Sequence, residues 1–456
     1  MLFAVFFFQF FFLLGASDEV IVNGEAGEKM DEYMKVWADN VRFSGAVLVA
    51  RKGELVLKKA YGKADWQFGV PNNTECKFRI ASMTKAFTAM GIVQLQEQGK
   101  LSVDDKVSKY VPQMKYGDKM TIKDLLRMNS GLPDFCNFPD FDMTIGRKFL
   151  SPEENIAIIK DVGLLFEPGT RYLYANSNYI ILAYILEKVS GEKYPEYLRK
   201  HILAPAGMNN TGVEDNYSII ENLAYPYRLN YFNKVEKALF IDMTVPFGSG
   251  DMYSTVGDLY LWDRILYTEK LAGKKSMEEI FTSGIAGPGP DAFFCYGWVY
   301  KQSKYGRVYM YEGGICGGNS FIARFTDRDV CITVLANFED ASVSMTMGNL
   351  AEILFEGKTA LPVFHKVIEL DRKILESYTG EYKMTDGTIV KVLMKDDRLF
   401  AAIGTSEIAI FPETETDFYS KRGIEAFLFH RTPEGKASAV TLVRENSEKV
   451  NALKIK

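Results

Sequence analysis

Ser82 and Lys85 stand three residues apart in "RIASMTKAFTAM" (79–90), a segment that predicts an apolar helix beginning near Ser82. Residues i and i+3 of a helix share a face, so the Lys85 amine can approach the Ser82 hydroxyl. A hydroxyl becomes nucleophilic when a base takes its proton, which a lysine does only while neutral. No charged residue follows until Glu97, and apolar surroundings lower a lysine pKa. The pair predicts a nucleophile with its own base; the alternative is that Ser82 only caps a buried helix.

The same spacing recurs at Ser190 and Lys193 in "SGEK", where a predicted helix ends. At least one of the two matches is therefore expected to be a coincidence of composition. The choice between them depends on the residues that surround each.

Two further segments hold groups that a serine hydrolase needs. Tyr174 and Asn176 follow a Pro-Gly turn at 168–169 and precede a predicted helix. A tyrosine hydroxyl can relay a proton, and an asparagine amide can orient a substrate carbonyl. The glycine-rich strand "YMYEGGICGGNSF" (309–321) can bring backbone N–H groups close to a developing oxyanion. Each of these patterns is common when it occurs alone.

The elements that must position these groups alternate between strands and helices. A hairpin over 44–62, turning at Lys52-Gly53, precedes the helix 82–98, which ends at Gly99. The middle of the chain, about 100–270, is predicted to be rich in helices. Strands return in hairpins over 296–314 and 319–337, and a helix at 343–357 follows. Because neighbouring strands are joined by short turns, we predict an α/β fold with a mostly antiparallel sheet, flanked by helices and a helical subdomain.

Beyond about residue 365 the pattern changes to short alternating strands every 8–12 residues, with turns such as Asp386-Gly387 and Glu434-Gly435. This pattern predicts an all-β sandwich or small barrel. We therefore expect a separate all-β domain over 370–456.

Residues 1–17 are apolar apart from Gln9 and end in small residues, followed at once by acidic residues. This pattern predicts a secretory signal peptide cut near Ala16 or Ser17, and hence a secreted or periplasmic protein. The alternative is an uncleaved membrane anchor, although about 20 apolar residues are needed to span a bilayer. Contact with a membrane is expected only if this segment is retained.

Composition excludes several classes of function. The net charge is -5 and no block of basic residues occurs, which argues against nucleic-acid binding. The five cysteines are scattered without metal-ligand spacing, so we predict no metal site and no cofactor, and no disulfide pairing is proposed. The three histidines lie in no catalytic pattern and no Gly-x-Ser-x-Gly segment is present, which disfavours a Ser-His-Asp hydrolase.

The ordered series of segments resembles the serine β-lactamase and penicillin-binding protein family, and within it the branch of class C β-lactamases, D-Ala-D-Ala carboxypeptidases and esterases. The series lies within residues 40–360, so a hydrolase domain is expected over 28–360, and Ser82 is selected over Ser190. Its segments run in the order "SMTK", "TIKDLLRMNSGLPDF", "FEPGTRYLYANSNYIILAYILEKVSG", "ILAPAGMNNT", "STVGDLYLW" and the glycine-rich strand.

The resemblance implies a role for each matching residue. Ser82 would be the acylated nucleophile, Lys85 its proton partner, Tyr174 the general base or its conjugate acid, and Asn176 a contact to a substrate amide. The substrate would be a small molecule or a peptide.

The family's third motif, Lys or His, any residue, then Gly, aligns with Tyr311-Glu312-Gly313; a shift of one residue gives Glu312-Gly313-Gly314. In the first register the N–H groups of Ser82 and Gly314 would form the oxyanion hole. Neither register supplies the cation that holds a substrate carboxylate. We therefore expect ester or peptide hydrolysis rather than true β-lactamase activity. The alternative is a non-catalytic envelope or extracellular binding protein that retains this fold.

The C-terminal segment is similar to the lipocalin-like β-barrel that follows some hydrolases of this family. The resemblance implies a role in substrate gating or in assembly.

Overall fold

The computed structural model describes residues 19–456 except 231–233, 363, 365, 405, 421–423 and 445–448. The chain forms two compact units. The first contains the described residues up to Leu229 and Val235–Pro362, and the second contains Asn230–Lys234 and Val363–Lys456. The predicted signal peptide, 1–17, lies outside the described residues and stays a prediction.

The first unit contains ten α-helices among its described residues. They are α1 (Gly24–Asp39), α2 (Thr84–Glu97), α3 (Ile122–Leu126), α4 (Pro152–Ile159), α5 (Asn176–Ser190), α6 (Tyr194–Leu198), α7 (Ala204–Ala206), α8 (Val256–Ile265), α9 (Lys274–Thr282) and α10 (Val343–Glu356); the second unit adds α11 (Arg372–Tyr378). Two long buried helices of the first unit, α2 and α5, carry Lys85 and Asn176.

The strands of the first unit are β1 (Ile21–Val22), β2 (Gly45–Arg51), β3 (Glu54–Tyr61), β4 (Lys63–Asp65), β5 (Val70–Pro71), β6 (Phe78–Arg79), β7 (Gly212–Val213), β8 (Tyr227–Leu229), β9 (Val235–Lys237), β10 (Met252–Ser254), β11 (Ile285–Ala286), β12 (Ala292–Phe294), β13 (Val299–Ser303), β14 (Gly306–Ile315), β15 (Gly318–Phe325) and β16 (Val330–Ala336).

Nine of these strands form one sheet in the order β1-β3-β2-β16-β15-β14-β13-β12-β11, and every pair in it is antiparallel. Short turns make this possible: Lys52 (φ 52°) and Gly53 (φ 82°) join β2 to β3 at the predicted position. β16 pairs with β2, from Val330 against Arg51 to Ala336 against Gly45, so the sheet joins distant parts of the chain. The expectation of a mostly antiparallel sheet flanked by helices is confirmed.

Helix α2 runs through the centre of the first unit. Every residue from Thr84 to Leu95 is buried, which matches its apolar sequence. Its Phe87 ring stacks on Trp262 of α8 with a centroid separation of 4.3 Å. It ends as predicted before Gly99, which adopts a φ of 68° that favours glycine. Because it is buried on all sides, α2 holds its side chains in fixed positions.

The second unit is a closed antiparallel barrel whose eight strands follow chain order. They are β17 (Gly380–Met384), β18 (Ile389–Lys395), β19 (Arg398–Ile403), β20 (Ser406–Pro412), β21 (Asp417–Ser420), β22 (Ile424–Arg431), β23 (Ala437–Arg444) and β24 (Lys449–Lys454). Closure pairs β17 with β24 and removes exposed strand edges. Of the two predicted forms, sandwich or barrel, the structure shows the barrel.

In the described part of the chain no helix combines the length and the apolar character needed to cross a bilayer. All five cysteines lie in that part and none forms a disulfide. No cluster of three or more His, Cys, Asp or Glu side chains suited to a metal ion occurs among the described residues.

Candidate active site

Ser82 lies in a single 3-10 turn, Ala81–Met83, that leads directly into α2. The α-helix itself begins at Thr84, two residues after the predicted start, because the chain is more tightly wound before it. Ala81 has a φ of 45°, which a residue with a Cβ adopts at a cost of roughly 1–2 kcal/mol. The sharp turn leaves Ser82 half-buried between two buried neighbours, so that its hydroxyl faces a cavity.

The Lys85 amine contacts the Ser82 hydroxyl, as the spacing predicted. Nζ donates to Ser82 Oγ at 2.9 Å, to Asn176 Oδ1 at 2.8 Å and to the Ser249 carbonyl at 2.6 Å. The lysine is fully buried. Burial lowers the pKa of Lys85 to about 7, even though nearby acidic groups oppose this shift. A substantial fraction of the amine is thus neutral near neutral pH.

The Tyr174 hydroxyl lies 2.7 Å from Ser82 Oγ on the other side of the nucleophile. It also donates to Asn176 Oδ1 at 3.3 Å, and its ring centroid is 5.0 Å from Lys85 Nζ. Burial raises the pKa of Tyr174 above its usual value, so the group is a phenol at neutral pH. The structure therefore brings Ser82, Lys85, Tyr174 and Asn176 into one hydrogen-bonded cluster.

Asn176 is the first residue of α5 and is held by contacts at both ends of its amide. Its Oδ1 accepts from Lys85, while its Nδ2 donates to Asp134 Oδ2 at 3.0 Å and lies 3.5 Å from Cys136 Sγ. An amide has two N–H donors, so one remains weakly engaged at the sulfur.

Strand β14 brings the glycine-rich segment against the nucleophile at Gly313. A Cβ added there would lie 2.3 Å from the Ile80 carbonyl oxygen and 2.9 Å from the Ser82 nitrogen, so only glycine permits this approach. Gly314 lines the same cavity as Ser82. This contact favours the register in which Gly313 is the third residue of the motif.

The other two residues of the motif differ in exposure. Tyr311 is 4% exposed, and its buried hydroxyl makes no hydrogen bond with the described residues. Its ring packs edge-on against Phe294 with a centroid separation of 6.0 Å. Glu312, on the opposite face of the strand, is exposed, and desolvation raises its carboxyl pKa.

The second Ser-x-x-Lys match has no such surroundings. Ser190 is the last residue of α5, and its Oγ bonds only to the backbone of Glu192. Lys193 is exposed and pairs with Glu187 at 3.7 Å. This match is a helix end, as its glycine suggested.

Two groups around Lys85 were not predicted from the sequence: the Ser249 carbonyl and the Asp251 carboxyl. Asp251 Oδ2 accepts from the Gly248 N–H at 3.0 Å, whereas the buried Oδ1 has no partner among the described residues. Burial raises the pKa of Asp251 to about 7. Its position between Gly250 and Met252 in "GSGDM" is the one local signal, because few acidic residues occur in such small apolar surroundings. Asp134 was also missed, although it lies in the quoted segment "NSGLPDF".

Two cavities adjoin the cluster. The smaller, about 80 Å³, contains Ser82, Asn176 and Gly314 in its lining. The larger, about 970 Å³, reaches Tyr174 and Tyr311 but not Ser82. The phenol that touches the nucleophile is therefore also a wall of the larger cavity.

Comparison with known families agrees with this geometry. Residues 28–354 match the family model described as Beta-lactamase, and residues 365–456 match one described as a domain of unknown function (DUF3471). The first match covers more than half of the chain. The chain therefore belongs to the beta-lactamase family.

Curated relatives include two penicillin-binding proteins of Bacillus subtilis (strain 168). "Penicillin-binding protein 4*" is 29% identical over 429 residues, which cover 89% of this chain and 94% of the relative. "Putative penicillin-binding protein PbpX" is 31% identical over 319 residues, or 70% of this chain and 75% of the relative. The first relative matches across both units of the chain.

Solved structures with the same fold include the octameric penicillin-binding protein homologue from Pyrococcus abyssi. It has a TM-score of 0.67 and 25% identity, and the match covers 93% of this chain and 99% of that one. The D-amino acid amidase from Ochrobactrum anthropi SV3 has a TM-score of 0.63 and 22% identity over 73% of this chain and 100% of that one. At that identity the amidase supports the fold alone.

Proposed function

We propose that this chain is a serine hydrolase that cleaves an ester or amide through an acyl-enzyme on Ser82. The observation that carries this proposal is that Ser82 Oγ lies within hydrogen-bonding distance of both Lys85 Nζ (2.9 Å) and the Tyr174 hydroxyl (2.7 Å). A nucleophile flanked by a base and a proton carrier meets the geometric requirement for covalent catalysis.

Lys85 is the group suited to activate the nucleophile. A neutral amine has two N–H donors and one lone pair. The Asn176 and Ser249 oxygens accept the two donors, which leaves the lone pair for the Ser82 proton. Ser82 Oγ then attacks the carbonyl carbon of the substrate, and the proton passes to Lys85.

Tyr174 is suited to carry a proton to the leaving group. As a phenol beside Ser82 Oγ, it donates its proton to the departing oxygen or nitrogen and regains one from Lys85. The bond from the carbonyl carbon to the leaving group breaks as this proton arrives. Water then attacks the acyl carbon, gives its hydroxyl to the acid product and returns a proton to Ser82 Oγ.

The remaining predicted residues form the proposed substrate contacts. The N–H groups of Ser82 and Gly314 stabilise the oxyanion, and the Asn176 N–H that lies 3.5 Å from Cys136 Sγ turns to a substrate carbonyl. Gly313 keeps β14 close enough for this arrangement. The expected substrate is a small molecule or a peptide.

Tyr311 and Glu312 favour substrates without a carboxylate next to the scissile bond. Tyr311 offers a hydroxyl rather than a cation, and the Glu312 carboxyl repels an anion. We therefore favour esterase or peptidase activity over β-lactam hydrolysis. An extracytoplasmic location, proposed from residues 1–17, fits such substrates.

The rival function is that of a non-catalytic binding protein of the envelope or the extracellular space. The small volume around Ser82, about 80 Å³, and the missing third-motif cation favour it. A fluorophosphonate probe with intact-mass detection separates the two. We expect one adduct on the wild type and on Ser190→Ala, and none on Ser82→Ala. Absence of labelling, or labelling that persists in Ser82→Ala, would support the binding protein.

A further inference from the structure

The larger cavity begins at the catalytic cluster. Tyr174, whose hydroxyl is 2.7 Å from Ser82 Oγ, forms part of its wall together with Tyr172 and Tyr311. At about 970 Å³ it lies at the upper end of the range of small-molecule pockets, roughly 300–1,000 Å³. The Tyr174 side chain therefore contacts Ser82 and also lines this cavity.

The deep lining of this cavity is apolar. It is formed by buried residues of the sheet and of helix α10, among them Phe294, Val308, Phe321, Phe325 and Ala351. The Phe294 ring contacts both Tyr172, at 5.6 Å between centroids, and Tyr311. Binding of an apolar ligand to such a surface is favourable, because it displaces water from apolar side chains.

Several of the polar lining residues are exposed to solvent. Lys301, Gln302 and Lys304 line the cavity but are exposed, and Lys304 is paired with Glu356 at 2.7 Å. Glu312 also lines the cavity, on the face of β14 opposite Tyr311, and would repel an anionic ligand there. The cavity is thus suited to an uncharged apolar group.

The volume on the Ser82 side is much smaller. The cavity that contains Ser82, Asn176 and Gly314 holds about 80 Å³, room for a short acyl group and its carbonyl. The two halves of a substrate therefore meet very different spaces. The group that protonates the leaving atom must lie next to that atom. The leaving-group half of the substrate is therefore expected on the Tyr174 side, and the acyl half on the Ser82 side.

We propose that the larger cavity binds the leaving-group half of the substrate, and that this half is an uncharged apolar alcohol joined to a short acyl group. This proposal rests on the proposed serine hydrolase function. Ser82 Oγ forms a bond to the acyl carbon, the bond from that carbon to the alcohol oxygen breaks, and Tyr174 gives the alcohol oxygen its proton. The free alcohol then leaves through the cavity mouth, and water releases the short acid from Ser82.

Two isomeric esters test the direction of binding. Octyl acetate and ethyl octanoate have the same formula and differ in which half is long. We expect kcat/KM, followed by pH-stat titration, to be at least about tenfold higher for octyl acetate, since only its long half reaches the apolar cavity. A higher value for ethyl octanoate, or equal values, would overturn the proposal.

A substitution at Gly348 tests the location. A Cβ added at Gly348, which lines the cavity on α10, meets no atom within 4 Å, so there is open space beside the cavity for a larger side chain. We expect Gly348→Phe to lower kcat/KM for octyl acetate about tenfold more than for ethyl acetate. Met345→Phe is the control, because Met345 is exposed on the same helix and does not line the cavity. Equal losses for both esters in Gly348→Phe would count against this cavity.

Octan-1-ol binding separates this proposal from the proposed function. We expect octan-1-ol to raise the melting temperature of Ser82→Ala, and to raise it less when Gly348→Phe is added. If no ester is hydrolysed but this difference is observed, the hydrolase function fails and the apolar binding site stands. If ethyl acetate is hydrolysed but octan-1-ol gives no difference, the cavity proposal fails and the hydrolase function stands.

Discussion

Asp134 Oδ2 accepts a hydrogen bond from Asn176 Nδ2 over 3.0 Å, and this contact decides which end of the Asn176 amide faces Lys85. With the nitrogen held by the carboxylate, the amide oxygen points at the lysine amine, which donates to it at 2.8 Å. The reverse orientation would set an N–H donor against the amine and disturb its lone pair. We therefore expect Asp134 to act on Ser82 through Asn176 and Lys85, as a positioning residue.

Replacing Asp134 by alanine is expected to lower kcat/KM about tenfold, the cost of one hydrogen bond to a charged group. Asp134→Asn is the matched control, since it keeps an acceptor for Asn176 and should retain most of the activity. Both variants remove a negative charge that raises the Lys85 pKa, so the rise of activity with pH should move to lower pH in both. Equal losses of activity in the two variants would contradict the positioning role.

Activity toward p-nitrophenyl butyrate should rise with pH through about 7, the pKa of Lys85, because only the neutral amine accepts the Ser82 proton. The charged groups facing the amine are Asp134 and Asp251, and the carboxyl of Asp251 titrates over the same range. Tyr174 stays protonated across it, since its pKa is raised. The measurement is kcat/KM from pH 5 to 9, and a flat profile would argue against Lys85 as the base.

Burial of Lys85 should lower the free energy of unfolding at acidic pH. The folded-state pKa is about 7 and the ordinary value for lysine is 10.5, so the unfolded chain binds more protons between these values and stability rises with pH there. Below pH 7 the folded chain holds Lys85 as a buried cation, and the loss of hydration of that cation lowers the stability in full. Lys85→Met should therefore melt about 2–4 °C or more above the wild type at pH 6, with a smaller difference at pH 8.5. A difference that grows with pH would contradict the assigned shift.

A methyl group at Gly313 should separate β14 from the nucleophile. The added Cβ would meet two backbone atoms, Ile80 O at 2.3 Å and Ser82 N at 2.9 Å, and neither can move alone. We expect Gly313→Ala to lower kcat/KM by about 100-fold while the circular dichroism spectrum is retained. At Gly314 the nearest atom is the side-chain Oδ1 of Asn319 at 3.1 Å, so Gly314→Ala should lose less. A larger loss of activity in Gly314→Ala than in Gly313→Ala would contradict the close approach of Gly313 to Ser82.

Nitrocefin, which carries a carboxylate, should be hydrolysed more slowly than p-nitrophenyl butyrate. Tyr311 supplies no cation for that carboxylate, and Glu312 adds a negative charge beside it. The two substrates can be compared by kcat/KM in the same buffer, with Ser82→Ala as the blank. Turnover of nitrocefin that equals or exceeds that of the ester would show that a cation elsewhere holds the carboxylate.

Helix geometry predicted the contact between Ser82 and Lys85, although the same spacing at Ser190 and Lys193 shows that spacing alone does not select the pair. Ser82 and Lys85 are one helical turn apart, so their contact follows from helix geometry once α2 is recognised. The end of α2 at Gly99 and the turn at Lys52-Gly53 follow equally from local backbone preferences. These features need no knowledge of the rest of the chain.

The groups that bond to the Lys85 amine or shift its pKa could not be found from local spacing. The Ser249 carbonyl is 164 residues from Lys85 in sequence, and Asp134 bonds to Asn176, which accepts from Lys85. Nothing in their spacing brings them together, because the packing of α2, α5 and the loop before β10 does so. The register of the third motif is similar: only the contact between Gly313 and Ser82 distinguishes the two alignments.

The pairing of β2 with β16 has a consequence for biosynthesis. The strand that completes the centre of the sheet, Val330–Ala336, leaves the ribosome long after α2 and its buried lysine. Contacts between such distant segments slow folding and prolong the exposure of apolar surface. The nascent chain therefore carries an unpaired β2 edge and an uncovered α2 for most of its translation. A chaperone that binds apolar surface is expected to act during this interval.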